Sequence, residues 1–280
     1  MTVIAMFSDK GSPGVTTLAL TLAATWPRPV TIVECDPAGG DLALRLTDEA
    51  GRPQLAADSG LLALAAAARR STTSALDEHA RPVPGLPNLS VVTGLSTPEQ
   101  GAGIVELWPA ITAALTGPGP RDVLADLGRL HPGSPAHSVA AAADVLVGVA
   151  RGDAAGLLRL RERLHNLLET LPQNAGVTRR VAVVLIVDDR QGTDAVSSMR
   201  AVLAQAGIAA TVTGYLAHDP GAVQALQQGR TGPRVERSLL LRSARSLATE
   251  LTVHQSATAE PTPATGPVPR RRLAALVRSR

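Results

Sequence analysis

The 280-residue sequence is nearly devoid of lysine, cysteine and aromatic side chains. Its aromatics are Phe7, Trp26, Trp108 and Tyr215. So few rings count against binding single-stranded nucleic acid by base stacking, which needs aromatic platforms. One cysteine, Cys35, excludes a disulfide framework and any cysteine-based zinc or iron–sulfur site within one chain. No run of 18 apolar residues is present, which excludes a spanning helix. The N-terminal apolar run gives way to Ser8-Asp9-Lys10 with no signal-peptide pattern, so the chain reads as a soluble cytoplasmic protein. The histidines (79, 131, 137, 165, 218 and 254) are scattered without zinc-ligand spacing. Neither a nucleophile elbow nor a G-x-G-x-x-G after the first strand is found.

What is present is a 45% apolar composition, enough to bury a core of Ala, Val and Leu in one large α/β domain or two small ones. Of 27 basic residues, 26 are arginine, and Lys10 is the remaining one. A GC-rich codon bias accounts for scarce lysine but not for the position of the survivor. The net charge of +3 is unevenly placed. Residues 253–280 hold five Arg and one Glu, giving +4, whereas the preceding 252 residues hold 22 basic and 23 acidic groups, giving −1. A near-neutral body argues against non-specific DNA coating by the folded part.

Short apolar runs alternate with longer helical patterns, the signature of a parallel sheet with crossover helices. Strands are expected at 2–7, 30–34, 89–93, 122–126, 145–150, 181–187 and 210–216. Helices are expected at 16–26, 60–70, 98–115, 154–171, 195–205, 221–228 and 236–251. The spacing of Leu157, Leu160, Leu164, Leu167, Leu168 and Leu171 is helical. From Val253 the composition turns to Thr, Ala, Pro and Glu, which predicts a disordered linker ending in an Arg-rich tail. The domain reading is therefore one nucleotide-binding domain over 1–252, followed by a linker and basic tail over 253–280.

Three segments carry chemistry. The first is Ser8-Asp9-Lys10-Gly11-Ser12-Pro13-Gly14-Val15-Thr16-Thr17, a glycine-bearing loop between a strand and a helix. Backbone N–H groups in such a loop surround a phosphate, the helix dipole adds favourable field, and the Thr16 hydroxyl is placed to complete a Mg²⁺ shell. The ordinary P-loop has a lysine where Val15 stands. The second is Glu34-Cys35-Asp36-Pro37-Ala38-Gly39-Gly40-Asp41, and the third an apolar strand ending in Asp126-Leu127-Gly128-Arg129.

Together these segments resemble the deviant Walker A ATPases of the ParA/MinD family. Lys10 falls on that family's additional signature lysine; Gly11, Gly14 and Thr16 match, Ser12 replaces a glycine, and Val15 replaces the P-loop lysine. The resemblance implies a doubly wound, mainly parallel α/β sheet of the P-loop NTPase kind, with ATP and Mg²⁺ as ligands. It implies that Asp36 orients the attacking water, that Thr16 and Asp126 hold the metal, and that the Gly128 N–H meets the outer phosphate. Lys10 would reach a partner's nucleotide across a homodimer. Lys10, Gly11, Ser12, Gly14, Val15, Thr16, Thr17 and Asp126 would line the nucleotide, with Asp188 and His218 flanking its base. The family often has Asn where Asp188 stands, so base identity stays open.

Losing a cation at position 15 should weaken nucleotide binding and slow or abolish hydrolysis, because phosphoryl transfer depends on positive charge at the outer phosphates. Arg129 and Arg151 are candidate substitutes that the sequence does not position. The implied role is a nucleotide-dependent dimerising switch that positions cargo, either in chromosome partitioning or, as in CpaE/TadZ relatives, at a pilus or secretion apparatus. The cargo or adaptor is unknown. The alternative is a non-hydrolysing scaffold of the same fold. An amidating metabolic P-loop enzyme would need the missing lysine, and a nitrogenase-reductase-like role fails on cysteine count. In the tail, Leu273, Leu276 and Val277 share a helical face with Arg on its flanks, which leaves membrane contact open beside the favoured reading of a solvated or partner-docking tail.

Overall fold

A computed structural model describes residues 1–10, 14–55, 60–70, 76–172, 180–230 and 232–256, with side chains through residue 252. Gly11, Ser12 and the Arg-rich tail lie outside the described residues. Among those described, eight strands are formed: β1 (Val3–Ser8), β2 (Val30–Glu34), β3 (Arg81–Val83), β4 (Leu86–Val92), β5 (Asp122–Arg129), β6 (Val145–Arg151), β7 (Arg180–Val187) and β8 (Thr211–Ala217). They make one sheet in the order β3-β4-β2-β5-β1-β6-β7-β8. Every pairing is parallel except β3 with β4. The seven strands expected from sequence are all present, most within a residue or two. The short edge strand β3 was not anticipated. Its Pro82 suits only an edge, where no ladder donor is needed.

The helices are α1 (Val15–Thr25), α2 (Leu42–Arg45), α3 (Leu61–Arg70), α4 (Leu76–His79), α5 (Pro98–Gly103), α6 (Trp108–Thr116), α7 (His137–Ala142), α8 (Ala154–Thr170), α9 (Gly192–Gln205), α10 (Pro220–Gln227), α11 (Pro233–Glu236) and α12 (Leu239–Ser256). The single helix expected over 98–115 is instead α5, a 3₁₀ turn at Val105–Leu107, and α6. Gly101 and Gly103 are poor helix formers, and Pro109 is tolerated only in a first turn, so a new helix starts there. In α8 the leucine stripe at 157, 160, 164 and 167 is buried, and Asp153 caps the helix by accepting from the Gly156 N–H at 2.7 Å.

Strands buried on both faces read as continuous apolar runs because alternate residues enter different cores. In β1, Val3, Ala5 and Phe7 join the core beneath α3 and α6–α9, while Ile4 and Met6 join the core beneath α1, α10 and α12. The sheet is thus sandwiched between two helical layers. The chain winds from β1 to β2 and β4, returns to insert β5 between β2 and β1, then continues outward through β6 to β8. That reversal makes a crevice at the carboxyl ends of β1, β2 and β5, where ligands bind in open α/β sheets. Register aligns the three ends, with Asp126 beside Met6 on one side and Glu34 on the other.

Candidate nucleotide site

A cleft of about 560 Å³ opens at this reversal point, floored by Ser8, Gly14, Val15, Thr16 and Thr17 and walled by Glu34, Asp36, Asp41, Arg45, Asp126 and Arg129. Gly14 caps α1, and this cap and the helix's first turn line the cleft, where a helix offers its unsatisfied N–H groups. Val15 is only 5% exposed and packs into the core beneath α1. The position that carries a cation in ordinary P-loops is here part of the hydrophobic core.

Asp126 is buried, accepts from the Gly128 N–H at 2.9 Å, and receives a hydrogen bond from the Thr16 side chain. Burial pushes its pKa up to about 6, against the pull of Thr16 and the Gly128 N–H. A buried carboxylate beside a threonine hydroxyl, open to a polar cleft, fits a magnesium ion that takes few protein ligands and completes its shell with water and phosphate oxygens. Among the described residues no group of three or more His, Cys, Asp or Glu is placed to hold a metal ion by itself.

Asp36 accepts from the Ala38 N–H at 2.8 Å, and its pKa is raised by burial, with Arg129 among the groups opposing the rise. Gly128 lies directly against this carboxyl. Its φ of 56° favours glycine, and a Cβ there would sit 1.8 Å from Asp36 Oδ2. The N–H of Gly128 is occupied by Asp126, so the expected contact of that N–H with an outer phosphate is not set up in this arrangement. The two-residue separation of Asp126 and Gly128 within β5 favours this local bond.

Glu34 has a role that the sequence did not disclose. It is 2% exposed, and its Oε1 accepts from the Asp41 and Leu42 N–H groups at 2.8 and 2.9 Å, while Oε2 accepts from the Gly94 N–H at 2.9 Å. The carboxyl therefore ties the loop after β2, and with it the start of α2, to the end of β4. Gly40 is required by this packing, because a Cβ there would lie 2.5 Å from Glu34 Oε2. Burial raises the Glu34 pKa to about 7, against the N–H donors and aided by neighbouring Asp126.

The folded protein thus keeps a proton on Glu34 over a range where the unfolded chain, at 4.5, has lost it. The stability this contributes is complete below the unfolded value and is lost as pH rises through about 7. Urea denaturation of the wild type and Glu34→Gln should show their stability difference shrinking by on the order of 2 kcal/mol from acid to alkaline pH. His79 and His137, whose pKa values are lowered chiefly by burial, act in the opposite sense and cancel in that difference.

No family model and no curated protein matches the sequence. Solved structures match its shape. MinD of Pyrococcus horikoshii, complexed with Mg-ADP, superposes with a TM-score of 0.66 at 16% identity over 93% of this chain and 99% of that one. A ParA-family ATPase of Chlorobium tepidum gives 0.66 at 18% identity over 88% and 98%. The ATP complex of Cyanothece McdA gives 0.65 at 16% identity over 90% and 96%. The chain has the MinD/ParA fold.

On that fold the residues singled out from sequence separate into three places. Gly14, Val15, Thr16, Thr17, Asp36 and Asp126 share the main cleft. His218 lines an adjoining cleft of about 250 Å³ with Arg151, Ile186, Leu216 and Leu240, which also reaches Gly14 and Thr17. Asp188 is exposed past the end of β7 and does not line this second cleft; Ile186, two residues earlier, does. The strand's last inward-facing residues, rather than the first polar one after it, form the wall. Lys10 is exposed and lines a third cleft of about 190 Å³ with Arg151 and Arg159, outside the one that holds Thr16 and Asp126. Asp9 beside it is paired with Arg163 at 2.7 Å. Cys35 is fully buried, which pushes its thiol pKa well above the ordinary value, in keeping with a small core residue. No helix among the described residues is long and apolar enough to cross a membrane.

Proposed function

We propose that the protein is an ATP-binding switch of the MinD/ParA kind, which dimerises with nucleotide, positions cellular cargo, and hydrolyses ATP weakly. The carrying observation is the convergence of Thr16, Asp36 and Asp126 on one cleft at the carboxyl ends of β1, β2 and β5. Thr16 and Asp126 are the residues to hold Mg²⁺, and Asp36 is the residue to accept a hydrogen bond from an attacking water. A bound magnesium would neutralise charge on the phosphates. The adjoining cleft beneath β7 and β8 is the candidate base site, reached from the same Gly14 and Thr17. The proteins with this shape include structures with Mg-ADP and with ATP, and one MinD in complex with MinC, which supports nucleotide binding and a protein partner. Lys10, exposed on the neighbouring rim, is free to act on a second copy's nucleotide.

Burial of Val15 in the core is the reason for weak hydrolysis, and favours a second reading in which the fold is kept as a non-hydrolysing scaffold. Calorimetry with Mg·ATP, light scattering of the monomer–dimer balance, and a phosphate-release assay separate the possibilities. The expected result is ATP binding, an ATP-dependent rise in mass, and slow phosphate release that Asp36→Ala removes. Binding and dimerisation with no release above buffer would support the scaffold, and no binding would overturn both.

A further inference from the structure

A nucleoside triphosphate needs positive charge at its outer end, and the P-loop here supplies none. Val15 is in the core, Gly11-Ser12-Pro13 carry no charge by composition, and Lys10 lines a different cleft. Among the described residues lining the main cleft, the cations are Arg45 and Arg129. They come from other elements than the P-loop: Arg45 from α2, after the loop that follows β2, and Arg129 from the end of β5. Both lie near the carboxylates that flank the site, since Arg45 acts electrostatically on Asp126 and Arg129 on Asp36.

We infer that Arg45 and Arg129 bind the outer phosphates of a nucleoside triphosphate from the β2–α2 and β5 side of the cleft, in place of the lysine absent at position 15. This rests on the reading of the cleft as a nucleotide site. The Arg45 partner is Asp41 at 2.6 Å, an i,i+4 surface pair in which both side chains are substantially exposed. Such pairs are worth little, so exchanging the carboxylate for phosphate oxygens costs little. A guanidinium also presents parallel N–H donors that match a phosphate in bidentate fashion, which valine cannot do and a lysine does only as a point charge. The start of α2 is fixed by the Glu34 carboxyl through the Asp41 and Leu42 N–H groups, so the arginine is delivered on an anchored element. A cation site on these walls makes triphosphate binding depend on the arrangement of the loop after β2, whereas a P-loop lysine acts from a fixed helix.

The test is calorimetric titration of Mg·ATP and Mg·ADP into the full chain, as wild type, Arg45→Ala, Arg129→Ala, Arg45→Lys, and Arg45→Ala/Val15→Lys, with thermal melts to confirm folding. Both arginines are exposed, so the single-site variants should melt as the wild type does. Each alanine variant should weaken ATP binding about tenfold, and ADP binding by no more than about threefold, as expected for losing a charged hydrogen bond to the outer phosphate. Arg45→Lys should retain part of the affinity, and Val15→Lys should recover ATP binding in the Arg45→Ala background. If the wild type binds ATP while the alanine variants bind it within about twofold as well, the inference is overturned and the nucleotide-site reading stands. An equal loss of ATP and ADP affinity also overturns it, since that reports general attraction rather than an outer-phosphate contact. If the wild type binds neither nucleotide, the reading of the cleft falls, and this inference with it.

Discussion

Glu34→Ala should lower folding stability by about 3 kcal/mol, one of the largest effects expected of any single substitution near the cleft. The side chain takes up three backbone N–H groups from two segments about 50 residues apart in sequence, at 2.8, 2.9 and 2.9 Å. Removing it strands those donors next to a buried carboxylate, Asp126. The gross cost of three stranded donors is about 1–3 kcal/mol each, and relief of burying a carboxyl offsets part of it. Glu34→Gln keeps the volume but turns an N–H donor toward at least one of the three amides, so its loss should be about half as large. Urea denaturation near pH 6 measures both. Hydrogen exchange should show the Asp41, Leu42 and Gly94 amides losing protection before the strands do. An alanine variant as stable as the wild type would remove the latch from the account.

Asp126→Asn should reduce Mg·ATP affinity on the order of a hundredfold and leave metal-free binding nearly unchanged. The amide occupies the same volume and can still accept from Gly128, but it lacks the charge that makes Asp126 a ligand for a hard cation. Folding gives an independent check. Asp126 helps to raise the Glu34 pKa, and its own burial raises it to about 6, so the neutral amide should leave the nucleotide-free protein at least as stable as the wild type. Loss of Mg-dependent binding without loss of stability is the signature of a metal ligand. Parallel loss of both would mark Asp126 as structural. The contrast with Asp122, at the opposite end of the same strand, is instructive. Asp122 accepts from Trp26 Nε1, Arg28 and the Thr2 N–H, so its carboxylate is already satisfied.

Much of this architecture is legible in the sequence. Strands covered on both faces advertise themselves as apolar runs, and β2, expected at 30–34, spans Val30–Glu34. The order of a glycine loop, an acidic turn and a strand ending in aspartate is local, so Thr16, Asp36 and Asp126 were found by position along the chain. The break between α5 and α6 was missed because apolar spacing outweighed Gly101, Gly103 and Pro109. Glu34 borders the acidic turn in sequence, and nothing local shows that its carboxyl ties two segments together. Its partner apart from that turn, the Gly94 N–H, lies just past the end of β4. Arg45 is not distinguishable by sequence, since one arginine among 26 carries no signal.

By itself, then, the sequence determined which residue types stand after which strand, and that valine occupies the place where the P-loop pattern it resembles has a lysine. Those are statements about short segments, set by hydrophobic periodicity and turn chemistry within about ten residues. Only the tertiary structure decided which side chains meet. Parallel pairing sets Met6 of β1 and Glu34 of β2 on either side of Asp126 in β5, and the fold closes Glu34 over Gly94. It sets Arg45 and Arg129 in the same cleft as Thr16 while Lys10 faces another. The physical reason is that charge acts through space, so the cations that share the cleft with Val15 stand on other elements, not in the loop where the sequence registers the absence of one.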